Sequence, residues 1–112
     1  MRAVVLLLAA LLVLTACSGS GASKATLEAK PNPVPAGSGL GSTTISWKTG
    51  DGGQAQVYVS EDGGAENLFD SGTDNGSQEA PWIRSGSTYE FRLYAGTEHK
   101  TQLASVKVTR AQ

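Results

Sequence analysis

Few residues in this chain could carry out chemistry, and none stands beside the partners that catalysis needs. The only cysteine, Cys17, cannot form a disulfide within the chain, nor a thiolate metal cluster. The only histidine, His99, lies in a polar turn, and no candidate nucleophile near it in the sequence could be activated by it as a general base. We therefore expect no catalytic residue.

Several acidic residues fall in predicted loops, where two carboxylates could in principle hydrolyse a glycosidic bond. They are Asp51, Glu61, Asp62, Asp70 and Asp74. Their glycine-rich surroundings are typical of solvated turn residues, so a small hydrolase is the least favoured function. Residues 70–76 are loosely similar to a calcium loop but lack ligands at alternating positions and a closing glutamate. We expect neither a metal nor a cofactor.

Length and charge narrow the class of protein further. The 112 residues suffice for one domain, and nine basic side chains against ten acidic ones leave the chain nearly neutral. No basic run could neutralise phosphates, which argues against nucleic acid as a partner. Fourteen glycines and no long helical periodicity beyond the first residues indicate short strands joined by turns.

The N-terminus has the pattern of an export signal. One positive charge at Arg2 precedes twelve apolar residues, 3–14, too few for the roughly 20 that cross a bilayer as a helix. A charged start, a short apolar segment and small residues at its end predict a secretory signal peptide. An ordinary signal peptide with a chance cysteine after it is one alternative that this pattern leaves open.

The end of this segment, Leu14-Thr15-Ala16-Cys17, resembles the lipobox of bacterial lipoproteins. The resemblance implies that Cys17 receives a diacylglyceryl group, that residues 1–16 are cleaved off, and that the new amino terminus is acylated. Two or more acyl chains hold a protein stably on a membrane. The implied location is the extracytoplasmic face of the cell membrane or, since Ser18 rather than aspartate follows, the outer membrane of a host with two membranes.

Residues 17–23 are predicted to be the lipidated cysteine and a flexible Gly/Ser linker. Its six linker residues span roughly 13 Å root-mean-square and about 20 Å at full stretch, so the domain stays close to the bilayer. Cleavage also removes Arg2, which leaves eight basic against ten acidic residues. An anionic membrane would not attract such a domain, so the lipid must hold it there.

Residues 24–112 are predicted to form an all-β domain of about seven strands. The clearest strand begins at Tyr89, where Tyr89, Phe91 and Leu93 share one face because strand side chains alternate with period two. The other strands are predicted at residues 25–30, 43–49, 55–60, 67–69, 78–83 and 103–109. A proline-rich edge segment (31–35), a plain glycine loop (37–41) and a polar loop (70–77) are expected between them. Many short strands separated by turns predict a two-sheet β-sandwich.

Residues 83–95 resemble the fibronectin type III signature, with Ile83, Gly86 and Tyr89 at its leucine, glycine and tyrosine positions. Trp47 corresponds to the buried tryptophan of that family's second strand. The resemblance implies an immunoglobulin-like sandwich in which the Tyr89 hydroxyl bonds to backbone a few residues upstream. The implied structural core comprises Trp47, Ile83, Tyr89, Phe91 and Leu93.

One outer face is the best candidate for binding. Alternation places Tyr58 on the third strand and Arg92 and Tyr94 on the sixth, all pointing outward, and these residue types are common at recognition sites. They could equally cover the sheet through cross-strand pairing. Trp82, beside Pro81, could stack on a sugar or a partner, or close the rim of the sandwich.

These observations predict a monomeric, lipid-anchored cell-envelope lipoprotein with a non-catalytic protein- or glycan-binding sandwich. The predicted partners are the membrane, through Cys17, and an envelope protein or glycan. The alternative is a structural spacer or envelope component without a specific ligand.

Overall fold

A computed structural model describes residues 24–112, and this part of the chain contains strands and turns only. The predicted signal peptide, Cys17 and the linker lie outside the described residues. In the described part, no helix long and apolar enough to cross a membrane is found. The strands are β1 (Thr26–Lys30), β2 (Gly41–Lys48), β3 (Ala55–Glu61), β4 (Glu66–Gly72), β5 (Asn75–Ile83), β6 (Tyr89–Ala95) and β7 (Thr101–Val108).

The strands form two antiparallel sheets, one in the order β1-β2-β5 and the other in the order β4-β3-β6-β7. The predicted all-β sandwich of seven strands is therefore confirmed. Alternate residues of each strand meet between the sheets, as in β2, where Thr43, Ile45 and Trp47 are buried and Thr44, Ser46 and Lys48 are exposed. One apolar cluster, drawn from both sheets, fills the interior.

The prediction of a polar loop over residues 70–77 is wrong. Residues 70–72 extend β4, residues 75–77 begin β5, and a turn at Thr73 and Asp74 joins the two sheets. Backbone pairing overrides the polar composition here: Trp47 pairs with Gly76, and the Thr49 N–H donates to the Asp74 carbonyl at 2.8 Å. The pairing of this segment with β2, which the residues near it in the sequence do not specify, makes it a strand.

The position of the Trp47 indole explains why residues 72 and 76 of this segment are glycines. A Cβ on Gly76 would lie 2.3 Å from Cζ2 of the indole, whereas one on Gly72 would lie 3.5 Å from the same atom. Gly76 thus gives the ring room beside the backbone of β5, and Gly72 brings β4 against it. Among the described residues, the Trp47 Nε1 has no hydrogen-bond partner.

The glycine loop at residues 37–41 is not a plain connection, because it is organised around Arg110. This arginine is 6% exposed, and its guanidinium donates to the carbonyls of Pro35, Gly37, Gly39 and Ile83. The preceding proline-rich segment lies along the end of β7: the Val34 N–H donates to the Thr109 carbonyl at 2.9 Å. The C-terminal residues therefore fasten this end of the sandwich.

Candidate binding face

The three outward residues predicted for recognition do meet on the outer face of the four-stranded sheet. In the β3–β6 ladder Tyr58 pairs with Arg92, and Gln56 pairs with Tyr94. The Tyr58 and Tyr94 rings touch edge to face, with centroids 5.5 Å apart. We call the group of Tyr58, Glu66, Glu90, Arg92, Tyr94 and His99 the outer-face cluster.

The Glu66 carboxylate lies at the centre of this cluster. It accepts hydrogen bonds from Nη1 of Arg92 at 2.5 Å and from the Tyr94 hydroxyl at 2.9 Å. Its other oxygen lies 2.6 Å from Nε2 of His99. Arg92 also contacts Glu90, two residues earlier on the same strand: its Nη2 donates to the Glu90 carboxylate at 2.8 Å. One carboxylate from edge strand β4 thus joins β6 to the β6–β7 turn.

These contacts shift the acid–base equilibria of the cluster. Burial acts to raise the pKa of Glu66, but hydrogen bonds from Arg92, Tyr94 and His99 outweigh it, so the pKa lies below its ordinary value. The hydrogen bond from Arg92 likewise lowers the pKa of Glu90. Desolvation, followed by the hydrogen bond to Glu66, raises the pKa of Tyr94. At neutral pH the cluster therefore contains two carboxylates paired with a guanidinium.

His99 belongs to this cluster, which the sequence did not indicate. Its imidazole stacks on the Tyr58 ring with centroids 3.8 Å apart and an interplanar angle of 3°, and it meets the Tyr94 ring edge to face at 4.5 Å. The backbone at His99 has a φ of 57°, in the left-handed region that non-glycine residues seldom adopt. A turn that folds back over the sheet places the ring there.

The expectation that Tyr94 lies open to solvent is wrong. It is 9% exposed, because His99 and Tyr58 pack against its ring and Glu66 holds its hydroxyl. Arg92 keeps a quarter of its side chain exposed. The exposed large apolar residue on this face is one that the sequence did not indicate: Leu68, 53% exposed, which pairs with Tyr58 across β3 and β4.

Trp82 does not lie open as a stacking platform either. Its ring packs against Phe69, Tyr89 and Phe91, with centroids 5.5 to 6.1 Å apart. The cause is a bulge: Gly41 pairs with Ile83 but Thr43 pairs with Ala80, so β5 has one extra residue there. The bulge breaks the strict alternation and brings Trp82 as well as Ile83 to the interior side.

The residues named for the structural core are all buried: Trp47, Ile83, Tyr89, Phe91 and Leu93 are each at most 4% exposed. The Tyr89 hydroxyl accepts a hydrogen bond from the Arg84 N–H at 3.0 Å and donates to the Trp82 carbonyl at 3.4 Å. These bonds fasten the turn between β5 and β6 to the strand that follows it.

The five acidic residues predicted to lie in loops bond mainly to nearby residues or to a neighbouring loop, and two of them, Glu61 and Asp70, lie in β3 and β4 instead. Asp51 accepts from the Gly53 N–H, Asp62 from the Thr88 N–H, and Glu61 from Arg84 and Ser87. Asp70 and Asp74 bond to the residue that follows each of them. Within residues 24–112, no group of three or more histidine, cysteine or acidic side chains could hold a metal ion.

The outer face of the three-stranded sheet differs in composition. Its exposed side chains are hydroxyl, amide and charged groups together with Pro81, and the described part of this face has no aromatic ring beyond the edge of Trp47 beneath it. They include Thr26, Glu28, Thr44, Ser46, Lys48 and Ser77. The two outer faces are therefore chemically distinct.

A comparison of the chain with protein-family models, with curated proteins and with solved structures finds no match. The fold defines the class, a small two-sheet β-sandwich.

Proposed function

We propose that the protein is a cell-envelope lipoprotein, anchored by acyl chains on Cys17, whose sandwich binds a partner without catalysis. The lipobox resemblance supports the anchor. The chemical difference between the two outer faces supports the binding role: the four-stranded face has aromatic rings, ion pairs and an exposed leucine, while the three-stranded face has hydroxyl, amide and charged side chains without aromatic rings on its surface. The proposed partner-binding face is the outer-face cluster together with Leu68.

A protein partner fits this face better than a glycan does. Sugars bind flat against a free aromatic ring, but the Tyr58 ring is stacked by His99, Tyr94 is 9% exposed, and Trp82 packs against the core. Arg92, the planar donor on this face, is already paired with two carboxylates. An exposed leucine beside packed aromatic rings and ion pairs is instead typical of a protein-binding patch with a polar rim.

The second candidate function is that of a spacer without a specific ligand. It is favoured by the completeness of the outer-face cluster, in which Glu66 joins Arg92, Tyr94 and His99 without any external group. Under this alternative, the cluster stabilises the sheet and Leu68 is a singly exposed apolar residue of the kind that most surfaces have.

The anchor is tested by labelled palmitate. We expect incorporation into the wild-type chain and none into Cys17→Ser; equal labelling of both would contradict the anchor.

Binding is tested by affinity capture from the native envelope with full-length protein. Leu68→Ser should release a co-purified protein that Leu40→Ser retains, since Leu40 is the other exposed large apolar residue of the described part. Equal capture by both variants, or capture of glycan alone, would contradict a protein-binding face at Leu68.

Tyr94 is a poor position at which to test the binding face. Because Tyr94 is nearly buried and bonded to Glu66, its replacement by alanine changes stability as well as surface. Leu68→Ser changes only an exposed side chain, so a loss of binding is not confounded by unfolding.

A further inference from the structure

The described chain starts at one end of the sandwich, and three loops share that end. Lys24 packs against Gly50, where an added Cβ would lie 2.6 Å from the Cβ of Lys24. The Thr49 N–H donates to the Asp74 carbonyl, and the Gly96 N–H donates to the Gln54 carbonyl, each at 2.8 Å. We call this the tether end: Lys24 with residues 49–54, 72–75 and 96–100. The far end has residues 37–40, 62–65 and 84–88.

We infer that the tether end faces the lipid headgroups and the far end points away from the membrane. The inference rests on the proposed acylation of Cys17. Lys24 is seven residues after Cys17, so the connecting chain reaches at most about 25 Å even when fully extended. The two ends are further apart than that, because the eight residue-to-residue steps of β5 extend about 26 Å and the loops beyond both ends of the strand add to this distance. An inverted domain would need a longer tether than the chain has.

The composition of the tether end suits a hydrated headgroup layer. Its three loops contain glycine, threonine, asparagine, glutamine, one histidine and charged residues, and none of their residues has an aliphatic side chain that could insert. Acidic Asp51, Asp74 and Glu98 are interspersed with basic Lys24 and Lys100, and Lys48 lies on β2 just before the first loop, so this end neither attracts nor strongly repels the surface.

A domain lying on its side is disfavoured by charge and hydration. After cleavage the chain has two more acidic than basic residues, so a broad contact with an anionic leaflet adds repulsion and strips water from charged side chains on either outer face. The end-on orientation holds Leu40 outward at the far end and leaves the outer-face cluster with Leu68 at the side. A partner therefore approaches from beside or above the domain.

The orientation is measured with processed, lipidated full-length protein in vesicles of phosphatidylethanolamine and phosphatidylglycerol that contain a headgroup-linked nitroxide quencher. Acylation consumes the only native thiol, so a single introduced cysteine can be labelled with a fluorophore. Thr97→Cys reports on the tether end, Ser85→Cys on the far end, and Thr44→Cys on the three-stranded face. All three positions are exposed.

We expect severalfold stronger quenching at position 97 than at position 85, with position 44 between them, because the fluorophores differ in height by about the length of a strand. Equal quenching at 97 and 85, stronger quenching at 85, or strongest quenching at 44 would overturn the orientation. Flotation of the same vesicles separates the two proposals. Protein that does not float contradicts the anchor itself, whereas protein that floats with the wrong quenching order contradicts only the orientation.

Discussion

The Glu66 carboxylate lies 2.6 Å from Nε2 of His99, although 33 residues separate them in the chain. Glu66 comes from edge strand β4 and His99 from the turn after β6. The two residues come within reach because both strands pair with β3, one on each side of it. The same carboxylate also holds Arg92 and Tyr94. The outer-face cluster is therefore a property of the assembled sheet, and its disruption should be measurable in both stability and surface chemistry.

Replacing the central carboxylate should make stability less dependent on acid pH. Since the hydrogen bonds to Glu66 hold its pKa below the ordinary value in the folded state, its stabilisation is present above the ordinary carboxyl range and is lost as pH falls through the folded-state pKa. We expect Glu66→Gln to lower the free energy of unfolding by about 1–2 kcal/mol at neutral pH. The difference from wild type should shrink as the pH falls through and below the ordinary carboxyl range, because the wild-type carboxyl is then protonated.

Urea denaturation across this pH range measures the effect. The exposed Glu98 provides the matched control, since Glu98→Gln removes a carboxylate whose contact with Lys100 is 3.9 Å long and exposed. A Glu66→Gln variant that tracks wild type at every pH would show that the cluster contributes nothing to folding.

Adding one methyl group at Gly76 should be far more disruptive than adding it at Gly72. The new Cβ would lie 2.3 Å from the Trp47 ring at the first position and 3.5 Å from it at the second. Forced overpacking of this kind costs about 1–3 kcal/mol, whereas ordinary contact distance is tolerated within about 0.5 kcal/mol. Thermal unfolding of Gly76→Ala and Gly72→Ala gives the comparison; equal melting temperatures would contradict the assigned packing of Trp47.

Removing the buried guanidinium should loosen the far end of the sandwich. Arg110→Ala leaves four carbonyls without their charged donor, and we expect a loss of about 2–4 kcal/mol. Arg84→Ala, at an arginine whose side chain is 60% exposed, should change the free energy of unfolding much less, because solvent screens exposed ion pairs. Amide hydrogen exchange should then accelerate at residues 37–41 in Arg110→Ala only. Unchanged exchange there would show that Arg110 does not organise the loop.

Trp82 should behave as a core residue. It packs against Phe69, Tyr89 and Phe91, so Trp82→Ala should cost about 2–4 kcal/mol, somewhat less than the 3–5 kcal/mol or so expected for the fully buried Phe91→Ala. Guanidinium denaturation of both variants tests the order. A Trp82→Ala variant with wild-type stability that loses partner binding would contradict the core role and support a role for Trp82 in stacking on a partner.

Alternation along single strands predicted much of this fold. The period-two pattern at Tyr89, Phe91 and Leu93 marks β6 and its buried face correctly, because one side of that strand is apolar and the other polar. The pattern fails at β5, where Gly76 and its polar neighbours have the composition of a loop. Only pairing with β2, and room for Trp47, makes that segment a strand.

The candidate binding face was predictable only in part. The outward direction of Tyr58, Arg92 and Tyr94 follows from strand periodicity, but their burial depends on Glu66 and His99, whose proximity depends on strand order. The interior position of Trp82 depends on a bulge opposite residues 41–43, and a bulge leaves no mark in the hydrophobic pattern. Arg110 shows the same limit, since an arginine near the end of a chain gives no sign that it is buried.

Site-specific photo-crosslinking in the native envelope tests the proposed binding function most directly. A photoreactive amino acid at position 68 samples the four-stranded face, and one at position 44 samples the three-stranded face; both native residues are exposed. The proposal predicts a discrete protein adduct from position 68, absent from position 44 and reduced by competing wild-type protein. No adduct from either position, or the same adducts from both, would contradict a partner-binding face and favour the spacer.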